Sequence, residues 1–197
     1  MNLFHKLFAK NNRENFDISN LIWSWIGSFL GLFAIAFFHR NFLDDSDLTL
    51  VLSSFGASAV LIYGAINSPL AQPKNLIGGH IISAIIGVFC YKLFGENLLF
   101  AAAIAVSSSI LVMQLTLTLH PPGGATALIA VIGTPQIHDL GYFFVIFPVF
   151  SGALILFLIA FVINNIPKNR AYPESFKNYL KKKYQRYKRR SLKRDKK

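Results

Sequence analysis

Residues 117–133 read LTLHPPGGATALIAVIG, so a histidine and a Pro-Pro-Gly-Gly sequence interrupt an otherwise apolar stretch. Proline lacks an N–H and is tolerated in the first turn of a helix. The break therefore predicts that a helix restarts near Pro122 and continues through residues 125–132. The start of this helix would present the N–H groups of Gly123 and Gly124, and the positive end of the helix dipole, to an anion. The alternative is that these residues only permit a kink and close helix packing.

The composition of the whole chain is that of a membrane protein. Of 197 residues, 53% are hydrophobic and 15% are charged, which leaves too little polar surface for a soluble domain. Uncharged runs of about 17–25 residues are long enough to span a bilayer. Four runs meet this length and a fifth, which contains His80, comes close: residues 21–38, 48–66, 98–119, 142–163 and 76–93. We expect an all-α polytopic bundle over residues 21–163, preceded by an N-terminal segment, residues 1–20.

The net charge of +11 is confined to the C-terminal tail, residues 164–197. Residues 1–163 carry six Lys or Arg against seven Asp or Glu, whereas the tail carries 14 against two. A polybasic segment after a last membrane helix is typical of a cytoplasmic tail that contacts anionic lipid, and we expect no nucleic-acid partner. The N-terminal segment is also basic, so both ends are expected in the cytoplasm.

A short internal sequence similarity, the internal echo, divides the membrane region into two units. The sequence GASAVLI at residues 56–62 aligns with GATALIA at residues 124–130, an offset of 68. Each copy lies between two longer apolar runs, which predicts two three-segment repeats with short or broken helices at the SSFG and HPPGG motifs. Cytoplasmic ends require an even number of crossings. Six crossings give an inverted repeat, and four crossings with two re-entrant segments satisfy the same requirement.

The apolar runs contain no Asp or Glu, which argues against a carboxylate-coupled pump and against a membrane hydrolase. We expect no enzyme activity. Two histidines without further ligands, and a lone Cys90, also argue against a metal site or another cofactor. The candidate anion-binding residues are polar or glycine positions near the two motifs: His120, Gly123, Gly124, Thr126, Ser53, Ser54, Ser58, His80 and Asn67.

Three motifs resemble the HPP family of integral membrane proteins. They are FGASAV at residues 55–60, SPLAQPKNLIGGH at residues 68–80 and LHPPGGATA at residues 119–127. The resemblance implies four transmembrane helices, which favours the re-entrant alternative. Chloroplast and cyanobacterial members are associated with nitrite transport, so it also implies transport of a small anion.

The sequence thus predicts a multi-pass inner-membrane protein, assembled as a homo-oligomer, that passes a small inorganic anion such as nitrite. The competing interpretation is a membrane regulatory or interaction protein that transports nothing and uses its basic tail to bind lipid or a partner.

Overall fold

The computed structural model describes residues 17–176 together with residues 178 and 185, so most of the basic tail lies outside the described residues. The described part is helical and contains no strand, which confirms the predicted all-α membrane bundle. Seven α-helices follow one another along the chain: α1 Ile18–His39, α2 Asp45–Ala59, α3 Pro73–Phe94, α4 Leu98–Leu115, α5 Pro121–Ile132, α6 Pro135–Leu140 and α7 Ser151–Ile163. Short 3-10 or π-helical turns precede or extend some of them: Val60–Gly64, Pro69–Ala71 and Val145–Phe150.

Five of the helical segments are long and apolar enough to cross a membrane. They are Ile18–His39, Asp45–Gly64, Pro73–Phe94, Leu98–Leu115 and Val145–Ile163. The helix that begins at the His-Pro-Pro motif, α5, has 12 residues. At 1.5 Å per residue it covers about 18 Å, which is less than the roughly 30 Å of the hydrocarbon core.

Side-chain caps and prolines start the helices. The Asp17 carboxylate accepts the Ser19 N–H at the start of α1, and the Asp44 carboxylate accepts the Asp47 N–H at the start of α2. Helices α3 and α5 begin with proline, whose missing N–H costs nothing in a first turn.

The helices alternate in direction. The Ser24 hydroxyl at the start of α1 donates to the Tyr63 carbonyl at the end of α2, so these two helices are antiparallel. Helix α4 runs against α3, with the Phe94 and Phe100 rings 5.2 Å apart at one end and Met113 beside Gly79 near the other. Helix α5 runs parallel to α3, because Gly79 faces His120 and Gly87 faces Ala127.

Helix α7 runs against α1, so both ends of the described chain lie on one face. His39 contacts Ser151, and Gly27 contacts Ile163. On this terminal face, defined by residues 17–20, 64–72 and 164–172, Arg170 donates to the Asn20 side chain. Helix α7 returns the chain to this face after six helical passages in alternating directions, one of which is the short helix α5. The number of membrane crossings stays a prediction.

Close packing of α3 against α5 buries the start of the short helix. A Cβ added at Gly79 would lie 2.5 Å from the His120 Cβ, and one at Gly87 would lie 2.6 Å from the Ala127 carbonyl oxygen. Small residues allow this approach of two backbones, as in other membrane helix pairs. Helix α5 begins beside Gly79, which lies six residues after the start of α3. Measured along the α3 axis, the N-terminus of α5 is therefore about 9 Å farther from the terminal face than the start of α3 is.

The two motifs of the internal echo have different local structures. The HPPGG motif starts a short helix, as predicted, and α5 begins at Pro121. The SSFG motif does not start a helix, which corrects the expectation that a short or broken helix begins there as it does at HPPGG. It lies inside α2, because the Asp44 cap begins that helix eight residues before Ser53, and no proline interrupts it. The repeat relation between the two units stays a prediction.

Candidate functional site

Five polar side chains meet beneath the terminal face, in the interior of the bundle. Ser54 and Ser58 come from α2, His80 from α3, Thr126 from α5, and His120 from the residue that precedes α5. Each is at most 2% exposed, although the surrounding helices are apolar. Buried polar groups are costly unless they are hydrogen-bonded. We refer to these five residues as the hydroxyl–imidazole network.

The network is continuous from one histidine to the other and on to the serine and threonine hydroxyls. The Ser58 Oγ lies 2.8 Å from the His80 Nε2 and 2.9 Å from the His120 Nε2. On its other side, the His80 Nδ1 lies 2.7 Å from the Thr126 Oγ1, which lies 2.9 Å from the Ser54 Oγ. The imidazole centroids are 5.0 Å apart.

Backbone carbonyls close both ends of the network. The His120 Nδ1 lies 2.8 Å from the Leu70 carbonyl oxygen, in the turn Pro69–Ala71. The Ser54 hydroxyl donates to the Pro122 carbonyl over 3.0 Å. A carbonyl oxygen only accepts, so the His120 Nδ1 carries a hydrogen and the tautomer of this ring is fixed.

Helix geometry decides which residues of α2 join the network. Ser54 and Ser58 are four residues apart and therefore lie on the same side of the helix. Ser53, predicted as a binding residue, is turned away: it is exposed, and its hydroxyl donates to the Thr49 carbonyl one turn earlier. Phe55 lies against the network, with its ring centroid 4.8 Å from that of His80.

Of the two glycines of the HPPGG motif, Gly123 serves close packing and Gly124 does not. The Gly123 N–H donates to the His120 carbonyl over 2.8 Å, so it is not a free donor at the helix start, contrary to the expectation from the sequence. A Cβ at Gly123 would lie 2.7 Å from the Ser83 Oγ, whereas one at Gly124 would have only the Val106 side chain at 3.7 Å. The two prolines before them have no N–H to offer.

Asn67, the remaining predicted residue, lies apart from the network in an open cleft on the terminal face. The cleft has a volume of about 700 Å³, and Arg170, Asn20 and Ser24 also line it. The Arg170 guanidinium donates to the Asn20 side chain and carbonyl and to the Ser24 hydroxyl. Burial lowers the pKa of Arg170, and the nearby Asp17 carboxylate opposes this shift.

Several buried polar contacts were not predicted from the sequence. The His39 ring bonds the Ser151 hydroxyl at 2.9 Å, and the Asp47 carboxylate accepts the Thr134 N–H at 3.0 Å. The Tyr172 hydroxyl donates to the Ala71 carbonyl at 2.7 Å. These pairs join residues that are far apart in sequence, so no local sequence pattern predicts them.

The network has no acidic member. Asp45 and Asp47 lie in the first turn of α2, and the apolar helices α4 and α5 carry no charged residue. Within the described residues, no group of three or more His, Cys, Asp or Glu side chains is placed to hold a metal ion. The arrangement can donate and accept hydrogen bonds and can carry a proton on an imidazole.

Comparison with known proteins places this fold in a family. The family model described as the HPP transmembrane region matches residues 13–173, which includes every residue of the network. The chain belongs to the HPP family. This confirms the resemblance seen in the three sequence motifs.

Two relatives in Dictyostelium discoideum are named as transmembrane proteins and nothing more specific. One is 47% identical over 160 residues, covering 80% of this chain and 56% of its own length. The other is 43% identical over 160 residues, covering 80% of this chain and 51% of its own length. The chain thus spans about half the length of the curated relatives it matches. No solved structure matches it.

Proposed function

We propose that this HPP-family membrane protein conducts or transports a small inorganic anion, with nitrite as the leading candidate. The observation that carries the proposal is the hydroxyl–imidazole network itself. Five Ser, Thr and His side chains are collected in the interior of an apolar bundle, where polar residues are expensive and tend to mark a substrate or ion pathway.

The chemistry of the network suits an anion better than a cation. Hydroxyl and imidazole N–H groups are donors, and there is no carboxylate to repel negative charge. Nitrite is small, and its atoms accept hydrogen bonds. The side chains bond one another, so the anion enters by replacing one of these contacts, and the hydroxyl of Ser58, between the two rings, is the group we expect it to displace.

Two other features extend a polar route from the network. Toward the terminal face, His120 bonds the Leu70 carbonyl of the turn Pro69–Ala71, and Ser68, which caps that turn, lines the cleft that contains Arg170. In the other direction, the Ser109 hydroxyl on α4 is fully buried and has no hydrogen-bond partner among the described residues. A buried hydroxyl with unused bonding capacity is a place where a passing anion or water can be held.

A flux measurement in proteoliposomes tests this proposal. Purified protein should carry nitrite, and His120→Ala should reduce the initial rate at least tenfold, because His120 bonds both Ser58 and the turn at the face. Ser58→Ala is the second variant, in case the first does not fold. The matched control is Ser53→Ala, on the same helix but outside the network, which should transport like the native protein.

Because the side chains of the network bond one another, the network also supports a second function, a membrane regulatory or interaction protein whose polar core is purely structural. Its basic tail would then bind anionic lipid or a partner. Absence of flux for nitrite, nitrate, formate and chloride through folded native protein would overturn the transport proposal in favour of this one.

A further inference from the structure

The hydroxyl–imidazole network contains six hydrogen bonds in series, and both of its ends are acceptors. In order, they join Leu70 O, His120, Ser58, His80, Thr126, Ser54 and Pro122 O, at 2.8, 2.9, 2.8, 2.7, 2.9 and 3.0 Å. Each hydrogen bond requires one hydrogen between its two heavy atoms. The terminal carbonyls contribute none.

The neutral side chains provide one hydrogen too few. Each of the three hydroxyls carries one hydrogen, and each neutral imidazole carries one, so five hydrogens serve the six bonds of the series. The Ser58 Oγ also lies 3.3 Å from the Ser54 carbonyl oxygen, a longer contact that branches from the series and competes for the Ser58 hydrogen. When the neutral His120 ring carries its one hydrogen on Nδ1, the hydrogens of Ser58, His80 and Thr126 must all point toward His120. The Ser54 hydroxyl can then donate its one hydrogen either to the Thr126 hydroxyl or to the Pro122 carbonyl, and the other bond is not made.

One additional proton, taken from bulk water, completes the series. It binds the lone pair of the His80 Nδ1 after the Thr126 hydroxyl hydrogen turns from that nitrogen toward Ser54, and the Ser54 hydrogen turns toward the Pro122 carbonyl; no covalent bond breaks. Two arrangements satisfy all six bonds. In one the charge is on His120 and Ser58 donates to His80; in the other the charge is on His80 and Ser58 donates to His120.

We propose that the network is a binding site for a single excess proton, shared between His80 and His120 through the Ser58 hydroxyl. The inference goes beyond anion transport, because the hydrogen count holds whether or not an anion crosses the membrane. In this proposal the two histidines bind the proton, and Ser58 is a positioning residue between them.

The surroundings limit the site to one proton. The titratable group that faces each imidazole is the other imidazole, and two positive charges 5.0 Å apart repel strongly in a low-dielectric interior. The charged residues of α2, Asp45 and Asp47, lie in its first turn, about 10 Å or more from Ser54 along the axis. Those of α3, Lys74 and Lys92, are exposed near its ends.

The remaining elements packed on the network add no charge. Helices α4 and α5 and the turn Pro69–Ala71 contain no ionisable side chain, and α4 contributes Met113 beside Gly79. Burial of an imidazolium costs free energy, and the compensation available here is the sixth hydrogen bond and the strengthening of the others by the charge.

Nitrogen NMR of the full chain, labelled with ¹⁵N-histidine in lipid nanodiscs, measures this directly. Imidazolium and neutral imidazole nitrogens have distinct shifts, and His80→Gln and His120→Gln assign the two signals. Between about pH 4 and pH 9, a range that brackets the free imidazole, we expect the pair to take up one proton per chain, with both rings reporting the same midpoint.

Ser54→Ala provides the decisive comparison. Without this hydroxyl, four hydrogens serve the four remaining bonds and no extra proton is needed. The midpoint should therefore fall by about one pH unit, the effect of losing one charge-strengthened hydrogen bond. Thr126→Val removes the same need and should act alike. Ser53→Ala, the adjacent serine outside the network, should leave the midpoint unchanged.

Three results would overturn the proposal: neither ring protonated across the range, two protons taken up independently, or a Ser54→Ala midpoint equal to that of the native protein. The NMR readout requires no flux. A protein that binds the proton but carries no anion would refute the proposed function alone, and one that carries nitrite with neutral rings would refute this inference alone.

Discussion

Ser53 and Ser54 are adjacent in sequence, yet only Ser54 belongs to the network. Successive helical residues are turned by about 100°, and α2 is apolar on most sides, so the pattern does not reveal which serine faces inward. The sequence did single out all five network residues, because intramembrane polar groups are rare. It could not predict the Leu70 carbonyl, which depends on how the turn at residues 69–71 folds over His120.

Two buried tyrosines give a residue-scale prediction about stability. The Tyr172 hydroxyl donates to the Ala71 carbonyl, and burial raises the pKa of this phenol, so it stays protonated and keeps donating at neutral pH. Tyr172→Phe should lower the free energy of unfolding by about 1 kcal/mol. The measurement is reversible unfolding in detergent micelles.

Tyr63 is the matched control for this prediction. It is equally buried, but its hydroxyl has no partner among the described residues. Because no hydrogen bond is lost, Tyr63→Phe should leave the unfolding free energy unchanged or raise it slightly. Equal losses in the two variants would contradict the assignment of the Tyr172 bond.

At the scale of elements, the start of α5 was predicted well, whereas α2 was predicted as a span but the role of its SSFG motif was not. Proline and glycine fix the start of α5 locally, so the sequence located it to within one residue. Serine and glycine do not mark a helix start at SSFG. These residues lie in the middle of α2, which begins after the Asp44 cap. The π-helical turn Val60–Gly64 has no sequence signature that we recognise.

The close approach of α3 and α5 predicts that Gly87, at their contact, tolerates a methyl group less well than Gly56 on α2 does. In Gly87→Ala, the new Cβ would lie 2.6 Å from the Ala127 carbonyl oxygen, so the helices must separate. We expect a loss of about 1–3 kcal/mol of unfolding free energy and a lower thermal midpoint in detergent.

Gly56→Ala, on α2, is the corresponding control. A Cβ there would meet nothing within 4 Å, and alanine favours a helix over glycine by up to about 1 kcal/mol. This variant should be as stable as the native protein or more so. A destabilised Gly56→Ala protein would show that this face of α2 is covered in the assembled protein.

For the whole molecule, an even number of passages was expected because both ends are basic, and the alternating helices bring both ends of the described chain to one face. The depth at which the short helix begins in the bundle was not predictable, because it follows from the packing of Gly79 against His120. The cytoplasmic placement of both ends and the inner-membrane location stay predictions, as does the homo-oligomer.

Labelling of single cysteines tests the topology. In a Cys90→Ala background, Lys168→Cys lies on the terminal face and Glu96→Cys lies at the opposite end of the bundle, both exposed. An impermeant maleimide added to intact cells should label position 96 at once, and position 168 only after permeabilisation. Labelling of position 168 in intact cells would place the terminal face outside.

The turn Pro69–Ala71 is held from two sides. Its Leu70 carbonyl accepts from His120, and the next carbonyl, that of Ala71, accepts from Tyr172. Tyr172 belongs to the segment that leads into the basic tail, and the neighbouring Glu174 N–H is bonded to the Gln72 side chain. A mechanical load on the tail, from lipid or from a partner, would thus be applied one peptide unit away from the oxygen that orients His120.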